Sequence, residues 1–236
     1  MKRSQINFIM RDGLGFLRRR RFALPPFAFW TPAEWRGRGP EAREIADRQL
    51  GWDITDFGCG DFDRTGLFLF TLRNGTPVDS GRPPGKTYAE KIMIVRENQV
   101  TPTHFHHEKM EDIVNRGGGR LVMRLWNATA EDGLADTPVT VSRDGVRVTV
   151  PAGGEIVLRP GESVCLPPRN YHRFWGQQGR GPVLVGEVSR VNDDRVDNRF
   201  FDPVGRFPTI EEDEEPLYLL CGDYARYYVN PAGRRV

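Results

Sequence analysis

The chain has 236 residues, of which 38% are hydrophobic and 28% are charged, with a formal net charge of +2. These values are typical of a soluble globular protein, and the length does not require two domains. The small net charge gives no electrostatic reason to expect a nucleic-acid partner, and no apolar run approaches the ~20 residues of a membrane span.

Two helices are predicted at the N-terminus. Apolar residues recur at helical spacing from residue 4 to about 20, and Leu24-Pro25-Pro26-Phe27 then ends the pattern. Thr31 at the N-cap, Pro32 at N1 and Glu34 at N3 predict the start of the second helix. It is expected to run to about Leu50, with Gly51 as its stop. Residues 1–55 are therefore predicted to form a helical extension.

From residue 66 the pattern changes to short strands separated by Gly- and Pro-rich turns. The clearest pair, 139–143 and 146–150, alternates around the hairpin turn Asp144-Gly145. Strands without intervening helices indicate an antiparallel sandwich or barrel. Loops are expected at 73–86 and 127–137. The other predicted strands are 67–72, 87–95, 121–126, 155–158 and 182–188.

The cysteines and the N-terminus predict a cytoplasmic protein. Three cysteines at positions 59, 165 and 221 are an odd, widely spaced set without a CxxC pair, as expected of thiols in a reducing compartment. The first twelve residues lack the long apolar segment of a signal peptide.

Three of the four histidines occur in a pattern that predicts a metal site. His104 and His106 are two residues apart, so a strand would direct both to one face. Glu111 follows a predicted bend and can return to the same interior from the next strand. His172, at the end of a Pro-rich turn over 160–172, completes the set. His107 would point to the opposite face and is not expected to be a ligand.

The types of ligand limit which metal ions this site can bind. Imidazole and carboxylate groups suit Mn²⁺, Fe²⁺, Co²⁺, Ni²⁺ or Zn²⁺, and the absence of a thiolate argues against a closed structural zinc site. Four protein ligands leave up to two positions on an octahedral ion, enough for a bidentate substrate. The alternative, ordinary polar surface histidines, is disfavoured because Glu111 and His172 accompany the His-x-His pair.

These residues resemble the two sequence motifs of the cupin superfamily. The first motif is matched from its first histidine onward, although Asn98 stands where its leading glycine is expected. In the second motif, Arg169 and Gly176 replace a glycine and an asparagine, and neither position is a ligand. The matching residues are His104, His106, Glu111 and Gly118 in the first motif, and Gly161, Pro167 and His172 in the second. The resemblance implies an all-β double-stranded β-helix barrel with N-terminal α-helices.

A narrower resemblance is to the cupin-type D-lyxose isomerases, and it extends over nearly the whole chain. The segments that carry it are 24–28, 50–53, 88–93, 101–106, 111–119, 125–128 and 186–194. The resemblance implies a Mn²⁺-dependent aldose–ketose isomerase that interconverts D-lyxose and D-xylulose, with some activity on D-mannose and D-fructose. Residues 1–236 are then one cupin domain, with the barrel at 66–200 and a C-terminal segment at 201–236.

Aldose–ketose isomerisation needs a base near the C1–C2 edge of the sugar and an electrophile on its oxygens. Glu187 is the predicted base, because it lies in an otherwise apolar strand where burial would raise its pKa. The alternative is a carboxylate that orients a ligand histidine. Lys109 could stabilise the enediolate or carry a proton between oxygens, or be a solvent-facing loop residue. Lys91, Asp194 and Arg199 are candidate sugar-binding residues, with surface ion pairs as the alternative.

Two other functions remain as alternatives, although the complete ligand set argues against the second of them. A cupin dioxygenase would hold Fe²⁺, and a non-catalytic sugar-binding cupin would retain the barrel without the reaction. The small-molecule partner is expected to be a pentose or hexose, and the expected assembly is a homodimer. Aromatic residues near Trp30 and Trp35 are interpreted either as its interface or as core.

Overall fold

The computed structural model describes residues 1–76, 85–191, 193, 196–207 and 209–228. Asp194 and most of the predicted 73–86 loop lie outside these residues. Four α-helices are described: α1 (Arg3–Arg19), α2 (Pro32–Arg36), α3 (Arg43–Asp47) and α4 (Tyr224–Tyr227). The strands are β1 (Gly51–Thr55), β2 (Leu67–Arg73), β3 (Tyr88–Val95), β4 (Thr101–His106), β5 (Glu111–Gly118), β6 (Leu121–Asn127), β7 (Val139–Arg143), β8 (Val146–Val150), β9 (Gly154–Leu158), β10 (Ser163–Leu166), β11 (Asn170–Gly176), β12 (Val183–Arg190) and β13 (Asn198–Phe200).

The strands form two antiparallel sheets. One has eight strands in the order β1-β2-β3-β12-β5-β10-β7-β8, and the other has five in the order β13-β4-β11-β6-β9. Apolar side chains from both sheets share one core, including Leu69, Met93 and Ile113 from the first and Met123 and Phe174 from the second. This arrangement is the double-stranded β-helix barrel of the cupins, with helices at the N-terminus, and it confirms the predicted fold class.

The N-terminal helix covers part of the outer face of the eight-stranded sheet. Ile6, Met10 and Leu17 on α1 pack in one buried cluster with Phe68 and Phe70 of β2. Because side chains alternate along a strand, Leu67 and Leu69 fill the barrel core while these phenylalanines contact the helix. The apolar run in β2 is therefore explained by burial of both faces.

The predicted second helix starts as expected but ends early. Thr31 and Glu34 form a capping box, with the Glu34 carboxylate accepting a hydrogen bond of 2.7 Å from the Thr31 amide. The helix ends at Arg36, since Gly37, Gly39 and Pro40 interrupt it, and α3 is a separate element. Trp35 is only 1% exposed and packs against Tyr224, so it belongs to the core of this chain.

Four strands were wholly or partly missed by sequence patterns. β1 lies within the predicted helical extension and pairs along its length with β2. The Pro-rich segment 160–172 contains β10 and the start of β11, separated by a short turn. β13 pairs with β4, the strand that carries two of the predicted ligands. The division into segments 1–55, 66–200 and 201–236 stays a prediction.

Candidate active site

The four predicted metal ligands meet inside the barrel. His104 and His106 lie on β4, Glu111 begins β5, and His172 lies on β11. β4 and β11 are antiparallel neighbours, and His172 is the direct register partner of His104. Such pairing places the two side chains next to each other on one face. All four side chains are buried, between 1% and 8% exposed.

The ring nitrogens of the three histidines converge. Each histidine offers one nitrogen, and these atoms lie within 4.8 Å of one another. Glu111 Oε1 lies 3.4 Å from His106 Nε2 and 3.3 Å from His172 Nε2. Although it is buried, this oxygen makes no hydrogen bond of good geometry within the described residues. A buried carboxylate oxygen facing imidazole nitrogens fits a cation ligand, because a cation would satisfy it without a proton.

Backbone carbonyls fix the tautomers of two of these histidines. His104 Nδ1 lies 2.7 Å from the Pro102 carbonyl oxygen, and His172 Nδ1 lies 3.0 Å from that of Asn170. A neutral imidazole must donate from Nδ1 to make these bonds, so its lone pair is on Nε2. The Nε2 atoms are therefore available to a metal, as is typical of ligating histidines.

Burial also sets the protonation states that metal binding requires. Burial lowers the pKa of His172 to about 4, and burial together with the neighbouring imidazoles holds the pKa of His104 well below its usual value. Burial alone would raise the pKa of Glu111, but Lys109, His106 and His172 outweigh it and hold that pKa well below its usual value. Neutral imidazoles and an ionised carboxylate are the forms that ligate metals.

Acid is expected to destabilise the metal-stripped protein through His172. Unfolded histidine takes up a proton near pH 6.5, whereas folded His172 does so only near pH 4. Between these two pH values the unfolded state therefore binds more protons, so the free energy of unfolding decreases as the pH is lowered. The contribution of His172 to this decrease is about 2 kcal/mol between pH 6.5 and pH 5. Urea unfolding of chelator-treated protein at several pH values measures this slope.

The control for this pH dependence is His172→Asn, which removes one titrating group and should reduce the slope, while His104, whose pKa is also lowered by burial, continues to contribute. Most carboxylates titrate below the chosen window, so they contribute little to it. A slope that is unchanged in the variant would contradict the assignment to His172.

Two lysines and two glutamates form a buried ion network beside the histidines. Lys109 Nζ lies 2.7 Å from Glu111 Oε2 and 3.0 Å from Glu187 Oε1. Lys91 Nζ lies 3.3 Å from Glu187 Oε1, and the Ser189 hydroxyl donates to the same oxygen at 3.0 Å. The four charged side chains are at most 5% exposed. Glu187 is thus buried as predicted, but two ammonium groups flank it and stabilise its carboxylate form.

The network follows from strand register. β12 lies between β3 and β5 in the eight-stranded sheet, and Lys91 is the direct register partner of Glu187. Lys109 lies in the turn between β4 and β5, and its side chain is buried rather than solvent-facing. The structure therefore brings Lys91, Lys109 and Glu187 together with the histidines.

The groups line a small cavity together with apolar side chains. Phe57, Met93 and Phe174 contribute to its apolar wall. Its lining includes three polar residues that sequence patterns did not single out: Thr101, Asn198 and Arg206. Within the described residues, Thr101 Oγ1 and Asn198 Oδ1 are buried without a hydrogen-bond partner. Recognition of 198–200 as a strand paired with β4 would have found Asn198, because its register partner is His106.

Arg199 does not reach this cavity, contrary to the sequence-based expectation. Its register partner is Phe105, so its side chain lies on the opposite face of the sheet from His104 and His106. The side chain is 49% exposed and its Nε lies 3.9 Å from Asp132 Oδ2. His107 is also exposed, with its ring against Phe105 on the same outer side. Asp194 lies outside the described residues.

Buried imidazoles, carboxylates and ammonium groups around a cavity in a cupin barrel form the type of site in which enzymes act on small polar molecules. The D-lyxose isomerase family model matches residues 1–224, and the chain therefore belongs to the D-lyxose isomerase family. The enzyme class predicted from the sequence, sugar isomerase, is confirmed by this membership.

Relatives of high identity cover almost the full chain. The chain is 55% identical to the D-lyxose/D-mannose isomerase of Serratia proteamaculans, over 96% of this chain and 99% of that protein. It is 50% identical to the D-lyxose/D-mannose isomerase of Escherichia coli O157:H7, over 96% of this chain and all of that protein.

Solved structures of L-ribose isomerases have a similar fold. The enzyme of Acinetobacter sp. DL28 with L-ribose gives a TM-score of 0.59 at 16% identity, over 89% of this chain and 98% of that chain. The enzyme of Cellulomonas parahominis with L-ribose gives 0.57 at 18% identity, with the same coverage. At this identity the likeness concerns the fold alone. Within the described residues, no helix has the length and apolar character to cross a membrane.

Proposed function

We propose that the protein is a divalent-metal-dependent isomerase that interconverts D-lyxose and D-xylulose, and also D-mannose and D-fructose. The observation that carries the proposal is the buried ion network of Glu187, Lys109 and Glu111 beside the histidines. It places a candidate base and a candidate proton donor within hydrogen-bond distance of each other. The relatives at 55% and 50% identity are D-lyxose/D-mannose isomerases, and this similarity is the basis for the proposed sugars.

His104, His106, Glu111 and His172 would hold the cation, which we propose to be Mn²⁺, with Co²⁺, Fe²⁺ or Zn²⁺ as alternatives. Imidazole and carboxylate ligands suit each of these ions. A divalent ion held there supplies a Lewis acid that polarises the sugar carbonyl and favours the enediolate. Glu111 Oε1, buried and without a good hydrogen bond in the described residues, supports this use of the site.

Glu187 is proposed to carry the proton between the two carbons. In the aldose-to-ketose direction its carboxylate takes the proton from C2, and the electron pair left behind forms the C1–C2 double bond of the enediol. The same carboxyl group then returns the proton to C1, so no proton is gained or lost overall. The contacts of Glu187 with Lys91 and Ser189 fix the carboxylate in one orientation, which this transfer requires.

Lys109 is proposed to transfer protons to and from the sugar oxygens. As the carbonyl at C1 becomes a hydroxyl, the ammonium group donates a proton to O1, and it regains one from O2 as the new carbonyl forms. Burial strengthens such a donor, since water does not screen its charge. Lys91 is proposed to bind a sugar hydroxyl from the opposite side of Glu187.

Metal-stripped protein should lose isomerase activity and regain it when Mn²⁺ is added, because the proposed mechanism requires a Lewis acid. The assay measures interconversion of D-lyxose, D-mannose and D-xylulose after addition of Mn²⁺, Co²⁺, Fe²⁺ or Zn²⁺ to separate samples. Oxygen consumption is the control, and none is expected with any sugar. Full activity in protein verified to be metal-free would refute the metal-dependent proposal.

We also propose a cytoplasmic homodimer. No disulfide joins the three cysteines, which is compatible with a reducing compartment. Trp35 is buried within its own chain and gives the dimer no support. Tyr88 and Val188 are exposed on adjacent strands of the eight-stranded sheet and are the proposed interface residues. Light scattering of the purified protein measures the assembly.

A further inference from the structure

We propose that Asp197 orients His106 by accepting a hydrogen bond from its Nδ1, and that it thereby sets the affinity of the site for its cation. Asp197 is a positioning residue in this proposal, because it acts through His106 and does not touch the reacting sugar. The inference rests on the proposed metal dependence of the enzyme.

His106 differs from the other two histidines in its hydrogen bonds. His104 and His172 each use a backbone carbonyl as partner for Nδ1. His106 Nδ1 is buried and has no hydrogen-bond partner within the described residues. Its ring orientation and tautomer therefore need another acceptor.

The carboxylate of Asp197 faces this nitrogen. Asp197 Oδ2 lies 3.8 Å from His106 Nδ1, about 1 Å beyond a hydrogen bond. Both side chains are less than 10% exposed, and Oδ2 also lacks a hydrogen-bond partner in the described part of the chain. Two buried, complementary groups without partners gain free energy by closing this short gap.

Asp197 is held in place by the turn that follows β4. Its other carboxylate oxygen, Oδ1, accepts a hydrogen bond of 2.8 Å from the Glu108 amide. Its carbonyl oxygen accepts one of 3.0 Å from the His107 amide, and its own amide donates to the Asp193 carbonyl at 3.0 Å. With Oδ1 engaged by the turn, Oδ2 is left directed at His106.

The consequence concerns which nitrogen of His106 carries the proton. An acceptor at Nδ1 keeps the proton there and leaves the lone pair on Nε2, the atom that lies 3.4 Å from Glu111 Oε1. Without this acceptor, the imidazole is free to adopt the other tautomer or to turn. Loss of such an outer partner typically costs 10–100-fold in metal affinity.

Asp197→Asn separates this role from a purely structural one. The asparagine oxygen can still accept from the Glu108 amide, but its NH₂ group then faces His106 Nδ1 and favours the wrong tautomer. We expect Mn²⁺ and Zn²⁺ to bind about 10–100-fold more weakly, measured by competition with a chelator of known affinity. Asp197→Ala, which loses both contacts, should bind at least as weakly as Asp197→Asn.

Asp202→Asn is the matched control, because it removes the same charge from an exposed position five residues away. Its metal affinity should stay within twofold of wild type. Affinity in Asp197→Asn within twofold of wild type would overturn the proposal, since only the turn contact would then matter. Equal weakening in Asp202→Asn would also overturn it, because the effect would then be one of net charge.

A measurement on the unmutated protein tests the proposal independently of folding in the variants. In the zinc-loaded enzyme, ¹⁵N spectra of the histidine rings should show His106 with a proton on Nδ1 and the metal on Nε2. A proton on Nε2 of His106 would overturn the proposal. Wild-type protein that binds neither Mn²⁺ nor Zn²⁺ would instead refute the proposed function, so the two failures are distinguishable.

Discussion

Glu187→Gln is expected to lower kcat by about 10²–10⁴-fold while metal binding stays close to wild type. Glutamine keeps the size of the side chain and can still accept from Lys109 and Lys91, but it cannot take a proton from carbon. Glu187 is separated from the histidines by Lys109, so the ligand set stays intact. The decisive measurement is exchange of the C2 proton of D-lyxose with solvent deuterium, which should be lost with kcat.

Glu90→Gln is the matched control for this prediction. Glu90 precedes Lys91 on β3 and its carboxylate is 31% exposed and paired with Arg73 on the outer side. The activity of the Glu90→Gln variant and its rate of C2 proton exchange should both match wild type. If Glu187→Gln still exchanges the C2 proton at the wild-type rate, another group is the base.

The second large effect is expected from the pair of adjacent histidines. His106→Ala should weaken metal binding by more than 10–100-fold. That range is typical for loss of a residue that hydrogen-bonds a ligating histidine, whereas His106→Ala removes a proposed ligand itself. His107→Ala should keep its metal and its activity, since that ring is exposed and packs on Phe105 outside the cavity. Metal content after dialysis and chelator competition measure both variants.

The comparison is well matched, because both substitutions remove one imidazole from neighbouring positions. Equal loss of metal from the two variants would contradict the assignment of faces along β4. Retention of metal in both would remove His106 from the ligand set.

The site could be predicted from the sequence where short-range geometry decides it. The two-residue repeat of a strand places His104 and His106 on one face, and the structure has them there. Glu187 could be identified from the sequence because burial of an ionised side chain in an apolar strand is costly. In the structure, its contacts with Lys91 and Lys109 compensate this cost. Both inferences need only the neighbouring residues.

Long-range register was not predictable in the same way. Arg199 was expected at the sugar, but which face it occupies depends on the pairing of β13 with β4, nearly a hundred residues earlier. The same pairing brings Asn198 to the cavity and Asp197 to His106. A shift of register by one residue would exchange these faces, and no local pattern fixes it.

The helical extension shows a different limit. The capping box correctly predicted where α2 starts, but Gly37, Gly39 and Pro40 end it within two turns. Gly51 was interpreted as a helix stop, whereas it begins β1 and pairs with Thr71. Local sequence preference determines where α2 starts, whereas pairing with β2 determines that residues 51–55 form a strand.

The strands that form the cavity wall differ in how many neighbouring strands they pair with, and this has a consequence for redesign of the enzyme. Glu187 lies on β12, which is hydrogen-bonded on both sides, whereas Asn198 and Phe200 lie on β13, a three-residue strand at a sheet edge that pairs only with β4 among the described strands. A short edge strand opens locally at a lower free energy than a strand that is paired on both sides. Substitutions at positions 198 and 200 therefore change the cavity wall without replacing a contact of Glu187 or Lys109. Because Phe200 packs against the His104 ring and Asn198 is the register partner of His106, metal content must be measured in each such variant.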